Sequence, residues 1–361
     1  MSGLHFFPLR VSAIQADADD ALLVSFDVPA ALRDTFAFTP GQYLTLQHIE
    51  GQDDQRRSYS ICAGAGEPLR VGVRRITGGA FSTWLHAHLR VGDVVQAMPP
   101  QGKFGAAAAH PRPGKHLLGI AGGSGVTPIL SILKTTLKND MSSSFTLLYG
   151  NRNTASTMFK EELEDLKNIY LTRLALHMVF SREQVDSPLA SGRIDADKIS
   201  TVLRLCGQGK NGQVNDAFVC GPHALNDEAQ AALQASGLAP ENIHIERFGV
   251  PPAIAQSVSH APQVGDATGA VISILRDGLT RDIGFSAADE SILAAASRAG
   301  LDVPYSCKSG VCATCRAKLT AGRVRMDRNF ALEKSELDAG FILTCQAHPL
   351  TDRVAVSFDE R

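Results

Sequence analysis

Four cysteines near the carboxyl end of the chain are spaced as ligands of a metal centre. Cys307, Cys312 and Cys315 form a C-x4-C-x2-C pattern, and Cys345 follows on a later segment. Thiolates at this spacing are typical of a [2Fe–2S] cluster, in which two irons need four thiolates and one loop wraps an edge of the cluster. Gly310 lets that loop turn closely enough for backbone N–H groups to face the sulfurs.

Two other kinds of cysteine site explain the pattern less well. A redox dithiol needs only Cys312 and Cys315 and leaves the other two cysteines without a role. A zinc site usually has two separated C-x2-C pairs, and this sequence has one. Residues 269–361 are similar to plant-type ferredoxins, a resemblance that implies a β-grasp α+β domain with its [2Fe–2S] cluster on Cys307, Cys312, Cys315 and Cys345.

Two segments near the amino end resemble flavin-binding motifs of the ferredoxin–NADP reductase family. Residues 57–60, RSYS, are similar to its R-x-Y-S motif, and residues 78–82, GGAFS, are similar to its glycine-rich segment. In that family the arginine contacts a flavin phosphate, the tyrosine packs on the isoalloxazine ring and the second serine hydrogen-bonds near N5. The glycine-rich segment opens a helix whose free N–H groups suit an anion. The resemblance implies flavin contacts from Arg57, Ser58, Tyr59, Ser60, Val73, Gly79, Phe81 and Ser82.

By itself, the RSYS segment also fits a plain strand with a solvated arginine and a core tyrosine. Its position before the glycine-rich segment and before a nucleotide-binding region favours the flavin site. Short alternating apolar runs with turn signals between them predict an antiparallel barrel here, with one helix over Phe81–Leu89. The resemblance implies a six-stranded Greek-key β-barrel over residues 1–112 that binds FAD.

A glycine-rich turn stands between an apolar strand and a helix in the middle of the chain. Residues 119–128, GIAGGSGVTP, have Pro128 where the G-x-G-x-x-G fingerprint has its third glycine. We predict that Thr127 is the helix N-cap, that Pro128 is the first helical residue, and that the glycines leave room for a pyrophosphate. Strand and helix patterns alternate over residues 113–249 and predict a doubly wound parallel α/β domain.

This region is similar to the nucleotide domain of the same reductases. Residues 119–128 resemble the G-x-G-x-x-P turn, and residues 219–222, VCGP, resemble the C-G-P segment whose cysteine lies near the nicotinamide C4. The implied nucleotide contacts are Gly122, Gly123, Gly125, Thr127, Pro128, Gly221 and Pro222. By the same resemblance Ser60, Cys220 and Phe248 are the catalytic residues, with Phe248 covering the flavin until nicotinamide displaces it. A tight turn, a small buried cysteine and a core phenylalanine are the competing interpretations.

Basic residues after two of the predicted strands favour NADPH over NADH. Ser181 and Arg182 follow the third strand and resemble the S-R pair of NADPH-dependent reductases, and Arg152 follows the second strand. An NADP site offers arginine to the 2′-phosphate, whereas an NAD site offers a carboxylate to the ribose. The alternative is that both arginines are solvated loop charges.

Composition limits the partners. The chain has 361 residues, 35 Lys and Arg against 37 Asp and Glu, and a net charge of −2. This balance argues against broad electrostatic binding to nucleic acid or to an anionic membrane. We find no secretory signal and no segment suited to span a membrane, so we expect a cytoplasmic protein. The length predicts a multidomain chain, with residues 250–268 as a linker rich in Pro, Ser, Ala and Gly.

The order of flavin, nicotinamide nucleotide and iron–sulfur motifs resembles the reductase components of bacterial multicomponent oxygenases. That resemblance implies that hydride from NADPH reaches FAD, and that single electrons pass through the [2Fe–2S] cluster to a diiron oxygenase partner. Segments such as FTLLYGNR (145–152) and FVCGPH (218–223) are most similar to the reductases of phenylacetyl-CoA epoxidases. A ketosteroid hydroxylase reductase is the alternative. A redox-sensing binding module is disfavoured by the intact flavin and nicotinamide motifs.

Overall fold

The computed structural model describes residues 5–51, 53–109, 113–207, 213–250, 260 and 263–360. Its internal contacts group the chain into two compact units. The first unit consists of residues 1–6, 56–58 and 249–361, and the second consists of residues 7–55 and 59–248.

An antiparallel six-stranded sheet makes up the amino-terminal part of the second unit. Its strands are β1 (Phe7–Asp17), β2 (Ala21–Asp27), β3 (Tyr43–Glu50), β4 (Asp53–Ser60), β5 (Arg70–Arg74) and β6 (Val94–Ala97). Their spatial order is β4-β3-β6-β1-β2-β5, and a bridge between Ile61 and Val71 joins the chain just after β4 to β5. Helix α1 (Ala80–His88) buries Phe81 and Leu85 in the core of this sheet. The predicted six-stranded antiparallel architecture is confirmed.

A five-stranded parallel sheet forms the rest of the second unit. Its strands are β7 (His116–Gly122), β8 (Ser144–Asn151), β9 (Leu174–Phe180), β10 (Asp216–Cys220) and β11 (Ile243–Glu246), and its helices are α2 (Ala106–Ala109), α3 (Val126–Asn139), α4 (Lys160–Tyr170), α5 (Ala196–Gly207) and α6 (His223–Ala235). Helices α3 and α4 pack on one face and α5 and α6 on the other, so the central strand β7 is a buried apolar run. The order β11-β10-β7-β8-β9 places the point where the strand order reverses between β7 and β10. Open α/β sheets bind ligands at that point, beyond the carboxyl ends of the strands.

The described residues of the first unit form a mixed sheet, a two-stranded ribbon and two short helices. The mixed sheet has the order β13-β12-β18-β14-β16, and the ribbon is β15-β17. The elements are β12 (Val271–Arg276), β13 (Leu279–Gly284), α7 (Ile292–Arg298), β14 (Arg316–Ala321), β15 (Val324–Met326), α8 (Lys334–Asp338), β16 (Phe341–Leu343), β17 (Ala347–Pro349) and β18 (Arg353–Ser357). Ser291 caps α7 by accepting a hydrogen bond from the Ala294 N–H, and Gly300 follows the helix with φ +71°. The α+β architecture predicted for the carboxyl-terminal part is confirmed.

The start of α3 differs from the prediction. Gly123–Gly125 form a 3-10 turn that runs directly into the helix, so the N-cap is Gly125 and the first helical residue is Val126. Thr127 is therefore inside the helix and is not its cap. Its hydroxyl donates a hydrogen bond to the Ser124 carbonyl oxygen in the preceding turn (2.9 Å). Pro128 lies in the first turn, where a backbone N–H would have no partner within the helix.

Other boundaries also differ from the sequence patterns. Helix α2 was not predicted, so α1 is not the only helix within residues 1–112. Further 3-10 turns occur at Ala30–Leu32, Thr154–Ser156, Leu171–Arg173 and Pro240–Asn242. Most of the predicted linker, residues 251–259 and 261–262, lies outside the described residues. Among the residues that the structure describes, no helix is long and apolar enough to cross a membrane.

Candidate functional site

The four predicted cluster ligands lie in the first unit as two pairs of thiols. Cys307 hydrogen-bonds Cys312, and Cys315 hydrogen-bonds Cys345. The contact with Cys312 lowers the pKa of Cys307 to about 5, whereas the same contact and burial raise the pKa of Cys312. Two neighbouring thiol pairs are the donor set that two irons require, with one pair for each iron. These residues therefore fit a [2Fe–2S] cluster.

The backbone of the cysteine loop is shaped to face the thiols. Lys308, Gly310 and Ala313 all have left-handed conformations, with φ +53°, +80° and +54°. The Ser309 N–H donates to the Cys307 sulfur at 3.4 Å. Because N–H groups directed at cluster sulfurs stabilise the reduced, more negative form, this loop can tune a redox potential.

Three side chains of the second unit meet at the carboxyl ends of β10 and β11. Cys220 and Glu246 end these strands and are direct neighbours in the parallel register. Ser60, at the end of β4, donates its hydroxyl hydrogen bond to the Glu246 carboxyl group. Burial raises the pKa of Glu246 to about 8, and burial, with a smaller contribution from the neighbouring Glu246 carboxyl group, raises the pKa of Cys220. Both shifts favour the protonated, uncharged forms of these groups.

Glu246 is the member of this group to which the sequence assigned no role. Its Oε2 is buried and accepts no hydrogen bond from the residues that the structure describes. The signal was present in the sequence, since a carboxylate at the end of a predicted parallel strand stands where such sheets bind ligands. Phe248, two positions further on, is 45% exposed, which is unusual for a large aromatic side chain. An exposed ring is available to cover a ligand, and the role of Phe248 in covering the flavin stays a prediction.

The turn after β7 packs directly against the turn after β10. A Cβ atom at Gly125 would lie 2.0 Å from the Cys220 carbonyl oxygen, and one at Gly122 would lie 2.7 Å from Pro222 Cδ. A Cβ atom at Gly221 would lie 3.0 Å from the backbone nitrogen of Gly122. These glycines are thus required for backbone-to-backbone packing of the two turns, in addition to any room they leave for a phosphate. The structure brings Cys220 together with five residues of the predicted nucleotide site, which are Gly122, Gly123, Gly125, Gly221 and Pro222.

The predicted flavin contacts are distributed over both units. Arg57 and Ser58 belong to the first unit, where Arg57 is exposed and donates to the Arg56 carbonyl oxygen (2.7 Å). In the second unit Tyr59 packs against Phe81, with ring centroids 6.0 Å apart. Val73 and Phe81 are fully buried in the barrel core.

The glycine-rich segment before α1 is a tight turn. Gly79 is the N-cap of this helix, and the Ser82 hydroxyl accepts a hydrogen bond from the Ile76 N–H at 3.1 Å. The Ser82 side chain therefore already stabilises the turn itself. Contacts of Gly79 and Ser82 with a flavin phosphate stay a prediction.

The residues predicted to select NADPH lie on adjacent loops after β8 and β9. The Arg182 N–H donates to the Arg152 carbonyl oxygen at 2.8 Å, and the Ser181 N–H donates to the Asn151 carbonyl oxygen at 3.0 Å. Ser181 and Arg182 are exposed, whereas the Arg152 guanidinium pairs with Asp20 at 3.0 Å. Asp20 thus partly neutralises one of the two predicted cations, and the Arg182 guanidinium forms no ion pair with any described residue.

Arg74 is a second candidate that the sequence did not reveal. It lies on β5 beside Val73, pairs with Asp20 (3.3 Å) and donates to the Ser156 carbonyl oxygen (2.5 Å). Its Nη1 is 3.4 Å from the position of a Cβ atom on Gly123, so a guanidinium borders the predicted pyrophosphate turn. Only the tertiary structure brings β5 of the barrel to the turn after β7.

Comparison with known proteins identifies the flavin, nicotinamide nucleotide and iron–sulfur regions of the chain. Family models match residues 8–105 as an oxidoreductase FAD-binding domain, residues 120–231 as an oxidoreductase NAD-binding domain and residues 276–350 as a 2Fe-2S iron-sulfur cluster binding domain. The chain is 44% identical over 364 residues to one of the subunits of 1,2-phenylacetyl-CoA epoxidase of Escherichia coli, covering 99% of this chain and 98% of that protein. The chain belongs to the family of oxygenase reductase components.

A further relative agrees with this assignment, and a solved structure has a similar fold. The ferredoxin reductase component of 3-ketosteroid-9-alpha-monooxygenase from Mycobacterium tuberculosis is 31% identical over 368 residues, which cover 99% of this chain and 97% of that one. The fold is similar to that of phthalate dioxygenase reductase, with a TM-score of 0.60, 23% identity and 98% of each chain covered. The protein is therefore an electron-transfer oxidoreductase that uses NAD(P)H, FAD and a [2Fe–2S] cluster.

Proposed function

We propose that this chain takes hydride from NADPH and delivers electrons one at a time to a diiron oxygenase that epoxidises phenylacetyl-CoA. The observation that carries the proposal is 44% identity to a protein of the Escherichia coli 1,2-phenylacetyl-CoA epoxidase, over 98% of that protein's length. When bound, FAD accepts the two electrons of the hydride together, and the [2Fe–2S] cluster passes them on singly. Two electrons leave the chain for each NADPH consumed, and one proton is released.

The residues of the second unit have distinct proposed roles around the nicotinamide. Cys220 and the turn that follows it position the ring, and Phe248 occupies the flavin face when no nicotinamide is bound. Ser60 and Glu246 relay the proton that is released with the electrons, since Ser60 is hydrogen-bonded to the Glu246 carboxyl group and burial favours the protonated form of that group. Support for this proton path is that a buried, neutral carboxyl group can exchange a proton near its raised pKa of about 8.

Coenzyme selection is assigned to the loops after β8 and β9. Arg182 and Ser181 contact the 2′-phosphate of NADPH, and Arg152 contributes less because Asp20 already pairs with it. Arg74 is placed to compensate the pyrophosphate charge next to Gly123. We also propose domain boundaries at residues 1–112, 113–249 and 269–361, joined by a linker over residues 250–268.

In the first unit, Cys307, Cys312, Cys315 and Cys345 hold the cluster. The exposed part of the cysteine loop, around Lys308, is the proposed docking edge for the oxygenase. Such an interface is small and transient, because a reductase must dissociate to be reduced again. Charge-dependent docking weakens as salt rises.

The test is reoxidation of the NADPH-reduced protein by purified oxygenases in a stopped-flow instrument. The oxygenase components of a phenylacetyl-CoA epoxidase, with phenylacetyl-CoA and oxygen, should accelerate reoxidation and form epoxide. A ketosteroid hydroxylase oxygenase with its steroid serves as the competing partner, because its reductase is 31% identical to this chain. Faster reoxidation by the steroid system, or epoxide formation without any oxygenase, would contradict the proposal.

A further inference from the structure

A group of metal-ligating side chains lies in the first unit and includes none of the four cysteines. His260, Asp327 and His348 each direct one ligand atom to a common region, and these three atoms all lie within 4.8 Å of one another. His260 Nδ1 and His348 Nε2 are each 2.8 Å from the same oxygen, Oδ2 of Asp327. His348 and Asp327 are almost fully buried, whereas about a fifth of the His260 side chain is exposed.

A second layer of charged groups orients this triad. Arg325 pairs with Asp327 through the other carboxylate oxygen, Oδ1, and with both oxygens of Asp266 (2.6 Å each). The Asp327 Oδ2 atom is thereby left to face the two imidazoles. His348 Nδ1 is 3.9 Å from Asp266 Oδ2, a distance too long for a hydrogen bond, but the carboxylate lies on the side of the ring away from Asp327. A shorter contact there would give His348 the outer carboxylate partner that metal-binding histidines typically have.

Two carboxylates lie in or beside this site. Asp266 and Asp327 are both almost fully buried, and Arg325 pairs with both of them. A cation held between the two imidazoles and Asp327 would therefore lie close to an excess of carboxylate groups, where a positive charge is favourable.

The ligand atoms need only local movement to accept an ion. Tetrahedral ligands at about 2.0–2.1 Å from Zn²⁺ are about 3.3 Å from each other. The two nitrogen-to-oxygen distances of 2.8 Å would open by about half an ångström, and the two ring nitrogens, which lie within 4.8 Å of each other, would also have to reach about 3.3 Å. Two imidazoles and one carboxylate favour a borderline ion such as Zn²⁺ over Mg²⁺ or Ca²⁺, which prefer oxygen ligands.

We propose that His260, Asp327 and His348 bind one divalent transition-metal ion of the Zn²⁺ class, with a water molecule as the fourth ligand. The ion lies between Asp327 Oδ2 and the two imidazole nitrogens that now face this oxygen. It links three separate segments of the first unit, because His260 precedes β12, Asp327 follows β15 and His348 lies in β17. The ion is distinct from the iron held by the cysteines.

The experiment measures Zn²⁺ binding to the full chain with FAD and the [2Fe–2S] cluster in place. After removal of adventitious metal with a chelator, Zn²⁺ is titrated by calorimetry, and zinc and iron per chain are counted by mass spectrometry. One Zn²⁺ should bind per chain with no loss of iron. Zinc K-edge X-ray absorption should show nitrogen and oxygen neighbours and no sulfur.

Matched variants locate the site. His260→Gln and Asp327→Asn should each weaken Zn²⁺ binding about tenfold or more, while His88→Gln, at an exposed position at the end of α1, should bind like the unaltered chain. If Asp327→Asn does not retain its iron, the location of the site is judged from His260→Gln alone. His260 is partly exposed, so its substitution should disturb the fold less. Failure to bind stoichiometric Zn²⁺, unchanged binding by His260→Gln, or sulfur neighbours in the absorption spectrum would each overturn the proposal.

Discussion

Arg182 offers the sharpest test of how this reductase selects its coenzyme. The residue is exposed on the loop after β9, and its guanidinium pairs with no carboxylate among the described residues. Its backbone N–H donates a hydrogen bond to the Arg152 carbonyl oxygen, which the substitution leaves in place. Arg182→Ala should therefore remove a contact with the 2′-phosphate of NADPH without disturbing a protein ion pair.

The size of the effect follows from the kind of contact that is lost. A hydrogen bond to a charged group contributes about 1.5–3 kcal/mol. At about 1.4 kcal/mol per factor of ten, this corresponds to about a 10- to 150-fold loss of kcat/KM for NADPH. Because Arg182 is exposed, solvent screening favours the lower part of that range. NADH has no 2′-phosphate, so its kcat/KM should change by less than about twofold.

The assay is steady-state reduction of ferricyanide, which accepts electrons without the cluster or an oxygenase. Arg152→Ala is the matched control. The Arg152 guanidinium is already paired with Asp20, so its removal should lower kcat/KM for NADPH less than the removal of Arg182 does. Most of the Arg182→Ala effect should appear in KM for NADPH. An equal loss with NADH, an unchanged kcat/KM for NADPH, or a larger loss in Arg152→Ala would refute this reasoning.

Three further predictions concern the proton, the cluster and the nucleotide turn. Because burial raises the pKa of Glu246 from 4.5 to about 8, the folded protein keeps a proton that the unfolded chain releases, and stability should fall as pH rises from about 4.5 to 8; Glu246→Gln should flatten this part of the pH profile of the melting temperature, and an unchanged profile would contradict the raised pKa. Cys312→Ser should lose iron, because a hydroxyl is a poor ligand for it, and cytochrome c reduction should fall far more than ferricyanide reduction; equal losses would mean that electrons do not leave through the cluster. Gly125→Ala places a Cβ atom 2.0 Å from the Cys220 carbonyl oxygen, so it should lower the melting temperature and slow flavin reduction by NADPH, whereas Gly207→Ala, with open space at its Cβ position, should do neither.

Short segments of the sequence were sufficient to predict the cofactors of this protein. The four cysteines have few other uses at their spacing, and the family models match the same three regions in the same order as the motifs. The alternation of strands and helices was also sufficient to predict the parallel sheet, because strands buried on both faces are continuous apolar runs. Such signals depend on residues close together in the chain.

Helix boundaries depended on contacts that the sequence pattern does not contain. Thr127 and Pro128 have the residue types of a helix start, but the 3-10 turn over Gly123–Gly125 moves that start to Val126. That turn is held against Cys220 and Gly221, which come from a distant strand. The glycines there are needed for packing between two turns, a reason that only the tertiary structure supplies.

Tertiary structure also decided which ionisable groups act together. By sequence Glu246 is a carboxylate beside an arginine, and its raised pKa arises because the fold buries it next to Cys220 and Ser60. In the same way, Asp20 becomes the partner of Arg152 only because β1–β2 of the barrel packs beside the loop after β8. Residue types and spacing determined which cofactors this chain binds, because ligand chemistry is local. The fold decided the charge and protonation of the groups at the sites, because burial and ion pairing depend on neighbours from distant parts of the chain.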